Sequence, residues 1–473
     1  MTEASDAEST RRIGRRRALR DLGLAAGAGI GIAALSDATA LAAATAVTAI
    51  NVKDYGAQGN GTGNDQPAIQ SALNDVPSSG GAVFFPPGDY VVATPLAPKS
   101  RTLMYGCHTP VWDGADNPPS ACKIRTGGSF SGVGMIASPA GTVGVTIRNL
   151  ALVGSGVSSS GHGIVLADTS ECSWSFEHVT IAGFVGNGIW GRLHVGTLDG
   201  CFISRNRGWG VNASGGKFWR DVHASNCFLF YNYYGNLYFG GASSSEAVDF
   251  VNCRFERGGT NPDNVFSPIR ADSPGVRLGS ARFVHFVNCN TDANTGNGFE
   301  IVHEATSPDY LPNYIVMTAC HLARDGTGSN PESGGTLPSM AGVKVRGSDR
   351  GTGLVGGVKL VNCLVTYGRA DDDGGGTLRG PKYGVWFENT DFFQWIGGNG
   401  STVTAGNQLY TGTAGPESNW KPLVVDLERN MLTLPVAEPN PALPLVDGLV
   451  YLDEAGNRLR VLSGGAWKSV LLT

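Results

Sequence analysis

Two carboxylates, Glu256 and Asp292, hold the same place in two copies of one short pattern, AVDFVNCRFE (247–256) and FVHFVNCNTD (283–292). If the copies lie side by side as neighbouring strands, the two Cα atoms are about 4.8 Å apart. Carboxyl groups that close raise each other's proton affinity, which suits acid/base work. Arg254, Asn290 and His321 fall two residues earlier in the same frame and face the same way. A second chemistry-bearing set follows a glycine marker, as in GNGIWG (186–191), PGVRLG (274–279) and GNGFEI (296–301). Its outward positions are Trp190, Arg192, Asn212, Tyr238, Arg277, Glu300, Lys344, Arg346 and Trp386. Arg277 and Glu300 join Glu256 and Asp292 as catalytic candidates. Trp190, Arg192, Tyr238, Arg254, Lys344, Arg346 and Trp386 are the binding candidates, aromatic faces for stacking and cations for anionic groups.

These assignments rest on a repeat. Cys201, Cys227, Cys253, Cys289, Cys320 and Cys363 share one frame, preceded by Gly200, Asn226, Asn252, Asn288, Ala319 and Asn362. Asn149, His178 and Asn399 extend the series without cysteine. Apolar alternation breaks at each of these positions. A one-residue bend there joins two strands, and Asn and Gly tolerate the left-handed backbone it needs. Ala319 fits this poorly. The cysteine just inside the bend reads as a small buried hydrophobe, and the six as an internal thiol column. Cys107 and Cys122 lie outside the column and could pair; Cys172 is left over. With the glycine-marked strand, each coil holds three short strands, and repeats of this length mark a solenoid. The expected fold is all-β: a parallel β-helix of three sheets around a narrow apolar core. The longest insertions, 257–274, 324–341 and 367–382, all leave at one corner and are expected to wall the glycine-entered sheet.

The chain has 473 residues, 69 of them glycine, with a net charge of −5. That excludes a basic nucleic-acid-binding surface. Residues 1–46 carry paired arginines in GRRRALR (14–20), a short apolar run and small-residue cleavage sites. They resemble a twin-arginine export signal, which implies a secreted or extracellular protein that folds before export. No later segment is apolar enough to span a membrane.

NVKDYGAQGNGTGNDQPAIQSALNDVPSSGGAVFFPPGDYVV (51–92) is similar to the opening module of the pectate-lyase-like superfamily. In it Asp65 is read as a helix N-cap and Pro67 as a first-turn proline. The resemblance, with the coils, covers roughly residues 50–405 and implies a right-handed single-stranded β-helix with an N-terminal capping helix. It divides the chain into an export signal (1–46), a β-helix domain (47–418) and a C-terminal linker with a small β module (419–473). That last segment is similar to phage tail-fibre modules, with a hairpin from GLVYL and RLRVL, then Trp467. The superfamily holds hydrolases, lyases, epimerases and non-enzymatic binders. With the export signal and the aromatic and charged outer groove, the expectation is a polysaccharide partner and its cleavage by a glycoside hydrolase or polysaccharide lyase. Retaining glycosidases hold their carboxyls about 5–5.5 Å apart, which Glu256 and Asp292 could match. The alternative is a non-catalytic tailspike-like surface protein that binds glycan as a homotrimer. The hydrolase motif order fails here: Gly161-His162-Gly163 precedes Asn290-Thr291-Asp292, and Asp371-Asp372-Asp373 lies in a long loop. That catalytic set is therefore not carried over. No cofactor is expected; a lyase would bring calcium, but no cluster is specific enough to assign a metal.

Overall fold

Alternation with period two makes short strands, and a left-handed residue at each corner folds them into coils. The computed structural model describes residues 49–110, 121–154, 161–167, 172–260, 270–304, 311–326, 340–347 and 356–366. Beyond them it describes strands 383–388, 393–396, 409–411, 424–426, 431–433, 450–453, 458–463 and 466–471. The predicted bend at Asn399 and the C-terminal linker lie outside the described residues.

The described strands build three parallel sheets of 12, 11 and 10 strands, here called A, B and C. Each coil visits them in that order. Ser245–Val251 runs in sheet A, Arg254–Glu256 in B and Val276–Leu278 in C. Val248, Phe250, Cys253 and Phe255 point inward and are at most 2% exposed. The parallel β-helix expected from the repeat is thus present.

Eight bend positions chosen from the sequence sit between sheets A and B with positive φ: Asn149, His178, Gly200, Asn226, Asn252, Asn288, Ala319 and Asn362. Asn288 Nδ2 donates to Asn252 Oδ1 at 2.8 Å, and Asn252 Nδ2 to Asn226 Oδ1 at 3.4 Å. The six column cysteines are fully buried free thiols.

Two more left-handed columns had no signature in the sequence. Gly183, Arg205, Tyr231, Arg257, Ala293 and Arg324 turn sheet B into sheet C; Val195, Asp221, Ala247, Phe283 and Tyr314 bulge out of sheet A. Apart from Gly183 and Asp221, their residue types do not favour that backbone, so composition hid them. Next to the B–C corner runs a buried polar ladder. Asn206 Nδ2 donates to Asn232 Oδ1 (2.9 Å), Asn232 Nδ2 to Asn236 Oδ1 (2.9 Å), and Asn236 Nδ2 to Asn294 Oδ1 (3.2 Å). Asn294 Nδ2 ends it on Asp325 Oδ1 (2.8 Å). Inside the coil these amides supply partners that water cannot.

One expectation needs correcting. Asp65 stands at the N-cap of the helix Gln66–Asn74, but its side chain makes no bond to the helix. It accepts instead from the Gln58 and Gly59 amides at 2.6 and 3.2 Å, closing the glycine-rich loop. Ile69, Ala72 and Leu73 of that helix join the apolar core with Val52, Val83 and Phe85. Near the C-terminus, Val450–Asp453, Arg458–Ser463 and Ala466–Leu471 form an antiparallel three-stranded sheet, one strand more than the hairpin expected. No described helix is long and apolar enough to cross a membrane.

Ala319 holds φ 53° with no side chain to join the ladder between Asn288 and Asn362. Replacing it, as Ala319→Asn, should raise stability by about 1 kcal/mol, because asparagine accepts the left-handed backbone more readily. Urea denaturation reads this directly; an unchanged or lower midpoint would show that backbone strain is not what limits this coil.

Candidate functional site

Sheet B places the first carboxylates side by side. Arg254, Phe255 and Glu256 pair in register with Asn290, Thr291 and Asp292, which pair with His321, Leu322 and Ala323. Phe255, Thr291 and Leu322 are fully buried, so the flanking residues face outward. Glu256 and Asp292 are largely covered, at 19% and 16% side-chain exposure, yet their surroundings differ. Arg324, from the B–C corner, grips Asp292 at two points, with Nε on Oδ1 at 2.7 Å and Nη2 on Oδ2. Glu256 has a single-point contact, to Arg254 Nη1 at 3.3 Å. Burial, and then the Asp292 charge, push the Glu256 carboxyl above its usual range. Arg254 also lies over the Phe228 ring (5.3 Å), which stacks on Phe202 (4.9 Å). Burial lowers the His321 imidazole, favouring its neutral form. Asn290 Oδ1 is buried without a hydrogen-bond donor. Behind this strand Thr291 Oγ1 donates to Asp325 Oδ2 at 2.6 Å, and burial pushes the Asp325 carboxyl up to about 8.

Sheet C carries the second set. Trp190, Asn212, Tyr238, Arg277, Glu300, Lys344 and Trp386 form one outward column in register. Arg277 is held between two carboxylates, Nη1 to Glu300 Oε2 at 3.0 Å and Nε to Glu304 Oε1 at 2.6 Å. The Tyr238 hydroxyl donates to Glu304 Oε2 at 2.6 Å; burial and this bond raise its pKa. Arg346 lies in the next outward row, in register with Val302 and Glu388.

The aromatic candidates are partly covered by neighbouring rings and cations. Coils stack at nearly the thickness of a ring contact, so rings on this face cover one another. Trp190 stacks on the His162 ring (4.7 Å) and has Lys217 Nζ 4.4 Å from its centroid. Trp209 lies on Tyr238 at 4.9 Å, and Lys344 Nζ sits 4.5 Å from the Trp386 ring centre. Arg192 packs over Phe218 at 4.4 Å. His162 accepts the Asn187 amide at Nδ1 (2.7 Å), and burial lowers its pKa to about 4.

The four catalytic candidates therefore divide between two faces: Glu256 and Asp292 on sheet B, Arg277 and Glu300 on sheet C. Sequence reasoning missed Arg324, Glu304 and Asp325. Glu304 was reachable, because the outward alternation Glu300, Val302, Glu304 continues past the strand end. Arg324 was counted into the insertion it begins. Among the described residues no group of three His, Cys, Asp or Glu is placed to hold a metal ion.

Residues 49–226 match the family model described as rhamnogalacturonase A/epimerase, pectate lyase-like. An ORF18 protein of Geobacillus virus E2 superposes with a TM-score of 0.53 at 18% identity, covering 90% of this chain and 86% of that one. Over residues 49–226 the chain is thus pectate-lyase-like, and the fold of the described coils is a right-handed parallel β-helix. The enzymatically active domain of bacteriophage CBA120 tailspike protein 2 gives the same TM-score, 0.53, at 15% identity, over 74% of this chain and 47% of that one. In sequence, a mannuronan C5-epimerase of Azotobacter vinelandii is 34% identical over 107 residues, 22% of this β-helix chain. The matched stretch spans only 12% of that enzyme's length.

The two raised carboxyls give the β-helix a pH signature. A carboxyl raised on folding contributes stability that is present below its unfolded pKa and lost as pH rises through its folded value. For Asp325 that window runs from about 4 up to about 8. Thermal melts of Asp325→Asn and wild type should diverge across it, the variant gaining steadily with pH. Parallel curves would mean that Asp325 folds ionised.

Proposed function

We propose that this chain is a secreted carbohydrate-active protein that cleaves a glycosidic bond on the outer face of sheet B. Glu256 is the proton donor and Asp292 the partner carboxylate. One observation carries the reading: two in-register carboxyls are held in unequal surroundings, Glu256 raised by burial and Asp292 gripped by Arg324. Environments that separate two carboxyls in this way divide acid from base between them. Arg254 and Asn290 flank the pair and are suited to sugar carboxylates or hydroxyls. The described names of the matched family and of the epimerase relative place their own activities on polysaccharides, which supports a glycan substrate. Export rests on the twin-arginine-like segment.

A second reading, a non-catalytic glycan binder assembled as a trimer, draws on the sheet C face. There Arg277, Glu300, Glu304 and Tyr238 satisfy one another.

Purified protein should release reducing ends, or unsaturated uronates, from at least one glycan in a plant, algal and bacterial panel. Glu256→Gln and Asp292→Asn should each lower kcat by about 10²–10⁴, the range of a positioned acid or base. Arg277→Met should leave kcat nearly unchanged. Binding without product from any glycan, together with a stable trimer by light scattering, would favour the second reading. Full activity in both carboxylate variants would sink the first.

Glu256→Gln should also raise the Tm at pH 7 more than at pH 4, since ionising this covered carboxyl opposes folding. A lower Tm at pH 7 would show that the Arg254 contact outweighs its burial.

A further inference from the structure

The nine cysteines fall into two chemical situations. In the column, each thiol lies inside the coil and meets a backbone carbonyl, as Cys289 Sγ meets Phe250 O at 3.3 Å and Cys320 Sγ meets Phe286 O at 3.4 Å. Neighbours along the column are in-register residues of parallel strands, so their Cβ atoms are about 4.8 Å apart and point the same way. A disulfide wants Cβ atoms about 3.8 Å apart, and no oxidant reaches thiols that are at most 1% exposed. Cys172 is equally buried.

Cys107 and Cys122 are different. Cys107 follows the sheet A strand Thr102–Tyr105, and Cys122 opens the sheet B strand Cys122–Thr126. Cys107 is the exposed cysteine of the nine, and Cys122 is fully buried beneath it. The Cys107 amide donates to Cys122 Sγ at 3.0 Å; thiols also meet along the column, so what sets this pair apart is that one of its two thiols is exposed. The approach depends on Gly106, where a Cβ would lie 2.8 Å from the Cys122 Cβ. His108 anchors the next residue, its amide on Asn149 O at 2.8 Å and its ring on Thr180 Oγ1 at 2.8 Å.

We propose that Cys107 and Cys122 are the oxidisable thiol pair of this protein, a surface thiol that captures a small-molecule disulfide and a buried thiol that resolves it. The Cys107 thiolate attacks one sulfur of oxidised glutathione and releases one glutathione thiol. Cys122 then gives up its proton, attacks the Cys107 sulfur and releases the second. Two protein thiols are oxidised as one glutathione disulfide is reduced to two thiols. Burial pushes the Cys122 thiol up to about 12, so the second step is the slow one and the mixed disulfide precedes the bond. The product closes the segment 108–121, while the column stays reduced.

The test treats the full chain, reduced and folded, with oxidised glutathione. It then denatures the protein, alkylates it and maps the peptides by mass spectrometry. The expected result is a single linkage, Cys107 to Cys122, with every other cysteine alkylated. An early sample quenched in acid should carry one glutathione on Cys107. Cys122→Ala should stop at that adduct; if the variant fails to fold, the quenched wild type reads the same step. Oxidation should raise the Tm by several degrees in wild type and not in Cys107→Ser. All nine cysteines open to alkylation, a linkage to any column cysteine, or an adduct that wild type never resolves would each overturn the assignment.

Discussion

Everything in this molecule depends on keeping successive coils in register, and left-handed backbone positions, three per coil in five of the described coils, do that work. At about 4.8 Å per coil, a slip of one residue would turn the cysteines and phenylalanines of the core outward. The bend between sheets A and B uses asparagines, whose side chains then bond along the stack. The bend between B and C places arginines, a tyrosine and an alanine in the same backbone conformation. There the restraint comes from the buried amide ladder next to it, from Asn206 to Asp325. One corner is fixed by residues that favour its conformation, the other by partners that leave no alternative.

That contrast explains what the sequence made legible. The asparagine corner, the thiol column and the glycine-entered strand each repeat one residue type, so they showed the three-sheet coil and the pairing of Glu256 with Asp292. The arginine corner repeats a backbone angle and not a residue type, so Arg324 was read as loop. Its grip on Asp292 comes from a residue one place past a strand that looked unremarkable, Leu322 and Ala323. Ring stacking was likewise invisible. Trp190 and Tyr238 announce themselves as platforms in a linear text, but the coil spacing lays His162 and Trp209 against them.

The two outward faces handle charge differently. On sheet C, Arg277 answers two carboxylates and Tyr238 completes the group, leaving a closed set of contacts. On sheet B the neutralisation is lopsided. Asp292 has a two-point partner, and Glu256 is buried with a one-point contact from an arginine that is itself half exposed. An arrangement of this kind is less favourable for the fold than a closed one. That unequal neutralisation of two adjacent carboxyls is what singles out this face.

Two of the insertions at the B–C corner start at left-handed residues, Arg257 and Arg324, beside the polar ladder. Gly258 N–H donates to Asn294 Oδ1 at 2.7 Å at the root of one of them, before the chain departs. Loop length at that corner is thereby uncoupled from coil geometry, and lengthening a closed loop adds little entropy cost. Such a scaffold lets the length of a corner segment change without renegotiating the core. Descendants of this chain can gain or lose residues at that corner while the strands on either side keep their register.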